Sequence, residues 1–323
     1  MFDIKYNWKK TGHGATDNLG KQLEKIAKRM NQNQFKTRYR YMESNTRFIK
    51  FVAKEFKLRK LANMQDKHLK AYVDHMRLKG NSDKYIKTEL SGIRFIHNSI
   101  DNTKYELSDA RNFSQEVALA FTRDGRADRA WTEKEYQGFK NLAIEKHHEE
   151  IAKVFEGIRH TGMRIDEIVS LKYQEVHNAL RDGYLHLTNT KGGVPRNVPL
   201  TEGARSIFAN VLMDKQPGAY VFTPAKYVQT RTIHKFKKQI QNFIYNHRDK
   251  IQDKDRTQSG HNLKKEDRGA LTPHGLRHMF AREEYMNKRG TGVSKFKARL
   301  EVANMLGHGR DSVTFIYLGG IKE

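Results

Sequence analysis

Six side chains in five separated segments could together carry out one reaction. Arg164 stands in Thr161-Gly162-Met163-Arg164-Ile165-Asp166-Glu167 and Lys191 in Thr190-Lys191-Gly192-Gly193. His274 and Arg277 stand in His274-Gly275-Leu276-Arg277-His278, His308 in Leu306-Gly307-His308, and Tyr317 follows nine residues later. Arginine forks match pairs of phosphate oxygens, and a lysine on a mobile turn can protonate a leaving 5′ oxygen. A tyrosine hydroxyl, with a free pKa of about 10, becomes a nucleophile when neighbouring cations favour the phenolate. Two arginines, a lysine, two histidines and a tyrosine are what attack by tyrosine on a phosphodiester needs without a metal. Taken singly, each has a plainer explanation: a helix salt bridge, a turn lysine, one structural tyrosine among 14. Their serial order is the informative feature.

The elements that must position these residues can be read from periodicity. Arg164 and Glu167 are three apart on an expected helix and share a face, where the carboxylate can stiffen the guanidinium. Tyr184 to Thr188 and Arg196 to Leu200 read as two short strands, which puts Lys191 at the tip of a hairpin with a glycine turn. Thr272 and Pro273 open a helix that points His274 and Arg277 one way from its N-terminus, while His278 is expected to face away. A short helix capped by Asp311 or Ser312 carries Tyr317. Thr132-Glu133-Lys134-Glu135 is a capping box, followed by helices at about 132–146 and 148–160. Asp249 to Arg268 is highly charged and reads as a loop.

The first part of the chain reads as helical throughout. Leu19, Leu23, Ile26, Ala27 and Met30 form an apolar stripe, as do Phe48, Phe51, Val52 and Phe56. Leu69, Tyr72, Val73 and Met76 follow, then Tyr85, Ile86, Leu90, Ile93 and Ile96 behind the cap Ser82, and a final helix from Phe113 to Phe121. Lys54, Lys57, Arg59, Lys60, Lys84, Lys87 and Arg94 lie between the stripes as candidate phosphate contacts.

The motifs and their order resemble the tyrosine site-specific recombinases, the phage-integrase and Xer-type family, over most of the chain. The text Arg129-Ala130-Trp131-Thr132 and Arg196-Asn197-Val198-Pro199-Leu200 is similar to the family's as well. The resemblance implies a mainly α fold with a small β-sheet. It implies a helical, SAM-like core-binding domain over 1–121, a linker over 122–130 and a mixed α/β catalytic domain over 131–323. Arg164 and Arg277 would grip the scissile phosphate, with His308 touching it and His274 accepting a proton or donating a hydrogen bond beside it. Lys191 would be the general acid and Glu167 a supporting group. Tyr317 would form a 3′-phosphotyrosyl link and free a 5′ hydroxyl, with no cofactor and no metal. Double-stranded DNA is the implied partner, bound by a homo-tetramer on paired sites that is monomeric when free, with accessory DNA-bending proteins as candidate partners. The implied role is integration or excision of a mobile element in the cytoplasm, at the nucleoid. A Xer-type dimer resolvase remains open. A type IB topoisomerase, or a catalytically silent DNA-binding regulator, fits the length, layout and intact residue set less well.

Composition agrees with a polyanionic partner. The formal charge is +24, with 28 basic against 15 acidic residues over 1–130 and 33 against 22 over the rest. Charge spread over both halves repels itself unless a polyanion neutralises it. The absence of cysteine excludes disulfides and thiol nucleophiles. No apolar run reaches the ~20 residues of a membrane span, and the N-terminus lacks the stretch of a signal peptide. His147-His148-Glu149-Glu150 lacks the zinc-helix spacing, and Gly290-Thr291-Gly292-Val293-Ser294-Lys295 lacks the order of a phosphate loop. About 18 residues precede the first helix, too few for an additional arm-binding domain. Only Leu318-Gly319-Gly320-Ile321-Lys322-Glu323 follows Tyr317, too short for a docking helix. Subunit coupling is then expected to rest on other surfaces, with Arg282 to Val302 a candidate because the 34-residue interval from His274 to His308 is longer than the family's usual one.

Overall fold

A computed structural model describes residues 6–30, 35–120, 128–188, 190, 195–254, 271–308 and 314–318. Lys191, Asp311 and Ser312 lie outside the described residues, as do 319–323 and most of the charged 249–268 segment. The chain divides into two compact units, Met1–Thr122 and Arg123–Glu323. The fold is mainly α, and the described residues contain a single two-stranded sheet.

The first unit contains α1 (Gly14–Arg29), α2 (Phe35–Glu55), α3 (Asp66–Leu78), α4 (Asp83–His97) and α5 (Ala110–Glu116). The stripe residues Leu19, Leu23, Phe48, Val52, Leu69, Val73, Ile86 and Ile93 meet in its core. The Ser82 side chain caps α4 by accepting from the Tyr85 N–H. Two stripe positions depart from expectation. Phe56 lies past the end of α2, exposed, with its ring edge-on to His68, and Tyr85 is exposed in the first turn of α4. The last helix also begins and ends earlier than its apolar pattern suggests. The Asp109 carboxylate caps it by accepting from the Arg111 and Asn112 N–H groups, and Ala118 at φ 48° turns the chain out of it.

The second unit opens with α6 (Glu133–Glu145), α7 (Glu149–Thr161), α8 (Ile165–Val169) and α9 (Tyr173–Asp182). The hairpin strands β1 (Tyr184–Leu187) and β2 (Arg196–Pro199) pair antiparallel in the register Tyr184↔Pro199 to Leu187↔Arg196. Then come α10 (Glu202–Met213), α11 (Ala225–Gln229), α12 (Ile233–Ile251), α13 (Pro273–Gly290), α14 (Lys295–Met305) and α15 (Thr314–Leu318). The Thr132–Glu135 capping box is formed reciprocally. Trp131, Phe139, Phe155, Phe208, Phe236 and Leu276 build the main core. A separate small cluster gathers Phe280, Tyr285, Ala298, Val302, Leu306, Tyr317 and Leu318. That cluster seats the five-residue α15, too short to hold itself, against α13 and α14.

Three expectations about boundaries change. Residues 249–251 belong to α12 rather than to a loop. The last residues of the expected linker are packed: Asp128 and Ala130 are buried, and Asp128 accepts from Arg282 at 3.1 Å. Thr272 sits at the N-cap position of α13, but its side chain makes no cap bond, and Pro273 in the first turn sets the start instead.

Candidate active site

Arg164 does not lie within a helix, as its spacing from Glu167 suggests, but immediately before one. It is the N-cap residue of α8 with extended backbone, φ −75° and ψ 152°. Glu167 reaches back from the third helical position, accepting from the Arg164 backbone N–H at 2.8 Å and from its Nη1 at 3.0 Å. The turn before it needs Gly162. That residue closes α7 at φ +63°, and a Cβ there would lie 2.4 Å from Phe280 Cδ1.

A side chain outside the expected set completes this corner. Arg196, at the start of β2, donates Nη1 and Nη2 to the two Glu167 oxygens at 2.9 and 2.6 Å. Burial would raise the Glu167 carboxyl, but the Arg196 fork and the Arg164 backbone bond and charge outweigh it and hold it below the usual carboxylate range. Sequence reasoning missed Arg196, although a signal existed. It shares the inward face of β2 with the buried Val198, an uncommon place for an arginine unless it is paired.

Arg277 is fully buried. Nη1 donates to the Gly162 carbonyl, Nη2 to the Leu306 carbonyl and to His308 Nε2 at 3.2 Å, and Nε to the Tyr317 hydroxyl at 3.3 Å. Desolvation is the main cause that lowers its pKa to about 10, with Arg164 adding to it, so it remains a cation at neutral pH. His308 Nε2 is also 3.0 Å from the Tyr317 hydroxyl. A guanidinium only donates, so this network puts the imidazole proton on Nδ1 and the lone pair on Nε2. Burial, then the charges of Arg277, Arg164 and Arg196, lower the His308 pKa to about 4, so the ring is neutral.

Tyr317 is 5% exposed and lies under three imidazoles. The rings of His274, His278 and His308 are centred 5.6, 4.6 and 5.5 Å from its own. His278 does not face away. It is one helical turn from His274 and shares that face, and its Nδ1 lies 3.3 Å from the Tyr317 carbonyl. Burial, followed by His274, lowers its pKa to about 3, so it packs as a neutral ring. The second unit therefore brings Arg164, Glu167, His274, Arg277, His308 and Tyr317 to one place, with Arg196 and His278 added. Among the described residues no group of three His, Asp or Glu side chains gathers that could hold a metal ion. None of the described helices is long and apolar enough to cross a membrane.

A buried tyrosine hydroxyl, a neutral imidazole acceptor and guanidiniums in one field suit nucleophilic attack on a phosphate ester. The family model described as the phage integrase family matches residues 129–320, and a second, of the phage integrase N-terminal region, matches 16–105. The chain belongs to the phage integrase family. It is thus a tyrosine recombinase, an enzyme that cuts and rejoins DNA strands. A search of curated proteins returns no match. Among solved structures, the fold is similar to a lambda integrase fragment in a dimer bound to a COC′ core site. That match has TM-score 0.60 and 17% identity, and covers 95% of this chain and 96% of that one. It is also similar to the Tn1549 transposon integrase in complex with transposon right end DNA, with TM-score 0.55, 15% identity and 94% of each chain covered. A lambda integrase tetramer bound to a Holliday junction gives TM-score 0.56 and 18% identity, covering 95% and 78%. At these identities the likeness concerns the recombinase fold.

The cations expected to meet DNA in the first unit fall into two groups. Lys54, Lys57, Arg59, Lys60 and Lys84 are exposed. Lys87 donates to the Ala120 carbonyl at 3.0 Å. Arg94 is half-buried, donates to the Ser108 carbonyl and lies 4.9 Å over the Phe113 ring. These last two are engaged within their own unit.

Proposed function

We propose that this recombinase breaks one DNA strand through a 3′-phosphotyrosyl intermediate on Tyr317 and passes the strand to a partner duplex, in the integration or excision of a mobile element. The observation that carries the reading is the Tyr317 hydroxyl, held by Arg277 Nε at 3.3 Å and His308 Nε2 at 3.0 Å. The Arg277 donor suits a phosphate oxygen equally well, whereas the His308 Nε2 lone pair accepts only from the hydroxyl. Entry of the scissile phosphate exchanges one oxygen for another at Arg277 and leaves the Tyr317 hydroxyl donating to His308 Nε2, in place for attack. The phenolic proton leaves to the neutral His308 imidazole as the Tyr317 oxygen–phosphorus bond forms. The bond from phosphorus to the 5′ oxygen breaks, and Lys191 supplies the proton that makes it a 5′ hydroxyl. The 5′ hydroxyl of a partner strand then attacks the phosphotyrosine and restores the phenol, so the ester bond is conserved and no nucleotide is consumed. Arg164 and Arg277 carry the phosphate charge, and His274 donates to it from the first turn of α13, a favourable place for an anion.

The basic charge of both units, and the DNA bound in the similar structures, support double-stranded DNA as the partner. A homo-tetramer on two paired sites follows from the need to exchange strands between duplexes. Under this reading the core-binding domain spans 1–121 and the catalytic domain 131–323. The test is a duplex nicked beside the cleavage site, followed by a reaction on paired sites. We expect protein covalently attached to the 3′ end and recombinant products. Attachment with religation but no recombinants would indicate a topoisomerase, and no attachment would indicate a silent DNA-binding regulator.

A further inference from the structure

We propose that Arg196 is a positioning residue for cleavage, a second guanidinium on Glu167 that leaves Arg164 a net positive charge to offer the phosphate. The inference rests on the reading above that Arg164 grips the scissile phosphate. The geometry of one carboxylate carries it. Oε1 of Glu167 accepts from Arg164 Nη1 at 3.0 Å and Arg196 Nη1 at 2.9 Å, while Oε2 accepts from the Arg164 backbone N–H at 2.8 Å and Arg196 Nη2 at 2.6 Å. Arg196 thus commits both terminal nitrogens to the carboxylate, whereas Arg164 commits one. A carboxylate with a single arginine is a neutral pair and a weak partner for an anion. With two guanidiniums the corner carries a net charge of about +1.

Arg196 cannot easily act on DNA itself. Its side chain is 7% exposed and lies against the backbone of the loop that carries His308. A Cβ on Gly307, which sits at φ +72°, would come within 2.5 Å of Arg196 Cδ. The residue therefore braces β2, α8 and the turn before His308 at one point. Its Nε is buried without a hydrogen-bond partner, an unfavourable arrangement that an aliphatic residue on this inward strand position would avoid. What the arginine adds is the fork and the charge, and both fall on Glu167.

The experiment compares cleavage of nicked duplexes bearing either an ordinary phosphate or a neutral methylphosphonate at the scissile position. The neutral linkage needs less positive charge in the site. Arg196→Met is expected to cleave the phosphate slower by on the order of 10²-fold, as for loss of one oxyanion-stabilising donor, and its deficit should shrink by about tenfold or more on the methylphosphonate. Arg164→Ala should show the same narrowing, and Arg196→Lys, which keeps charge but loses the fork, should be the milder variant. Arg196→Met/Glu167→Gln removes the buried carboxylate together with its partner, which guards against a variant that fails to fold. It should cleave the phosphate faster than Arg196→Met alone, because Arg164 is no longer neutralised. Equal losses of Arg196→Met on both substrates, a wild-type rate for it on phosphate, or a double variant no faster than the single would each overturn the inference. If the wild type itself forms no covalent adduct, the reading of the whole site falls and this inference falls with it.

Discussion

Among the described residues, each unit of the molecule buries a glutamate against arginine, and the two arrangements differ in their charge. In the first unit Glu89 is 1% exposed and takes a fork from Arg47, Nε to Oε2 at 2.9 Å and Nη2 to Oε1 at 2.7 Å, plus the Ser44 hydroxyl at 2.8 Å. One carboxylate meets one guanidinium, and the charge is closed. The pair lies between α2 and α4, beside Asn45, whose amide donates to the Gly92 carbonyl at 2.9 Å. It fixes the crossing of two long helices. In the second unit Glu167 is nearly as buried but holds two guanidiniums at a helix start, with Arg277 and His308 in the same field. The charge there is left open. The difference lies in one additional arginine and in the element that carries the carboxylate, a helix cap facing a site instead of a helix interior facing a core.

The largest effect that separates the two comes from removing the arginine of each. Arg164→Ala should lower the rate of covalent attachment on the order of 10³-fold with single-site DNA binding retained, because one preorganised charge on the transition state is lost. Arg47→Ala should leave the rate per folded molecule unchanged and destabilise the first unit by about 2 kcal/mol, the cost of a buried acceptor left unpaired. Denaturant unfolding and single-turnover trapping of both variants measure this. A slow but fully stable Arg47→Ala would remove the distinction.

Acid should reach the second unit through its histidines. His278 and His308 have pKa values lowered to about 3 and about 4 from 6.5, mainly by burial. The unfolded chain therefore binds more protons between those values. The stability these rings contribute is fully present above pH 6.5 and is lost as pH falls through 4 toward 3. His278→Gln should flatten that part of the melting-temperature curve, and an unchanged curve would mean that His278 is not buried neutral.

A smaller effect distinguishes exposed from engaged cations in the first unit. Lys57→Ala should reduce the slope of log affinity against log salt by about 1, the value for one lost phosphate contact. Arg94→Ala should leave the slope as it is and cost stability, since its guanidinium is already on Ser108 and Phe113. A reduced slope for Arg94→Ala would place that side chain at the DNA.

Much of this arrangement was legible in the residues, for identifiable reasons. The helical stripes of the first unit are dictated by burial, so Leu19, Phe48, Leu69 and Ile86 could be found by period alone. Ser82 and Thr132 announce their helices because capping is a local hydrogen bond. Tyr317, His308, Arg277 and Arg164 were legible because their spacing within short motifs is fixed by the turns that carry them. Partners distant in sequence were not legible. Nothing near Glu167 announces Arg196, 29 residues on, and nothing near Glu89 announces Arg47, 42 residues back. His278 reads as facing away by helical spacing, yet it lies one turn from His274 and packs against Tyr317. Thr272 looked like a cap, yet proline in the first turn suffices. The fold shows why Tyr317 is buried: α15 packs into the small cluster with α13 and α14, which no local pattern reveals.

The most direct test of the central claim is to trap the protein on a nicked duplex as wild type and as Tyr317→Phe, then identify the residue joined to DNA by mass of the linked peptide. The account predicts a wild-type adduct at Tyr317 and its complete loss in Tyr317→Phe, with duplex binding nearly unchanged. One hydroxyl adds little to an interface between a duplex and a chain of formal charge +24. A persistent adduct in the variant, or a wild-type link at any other residue, would contradict it.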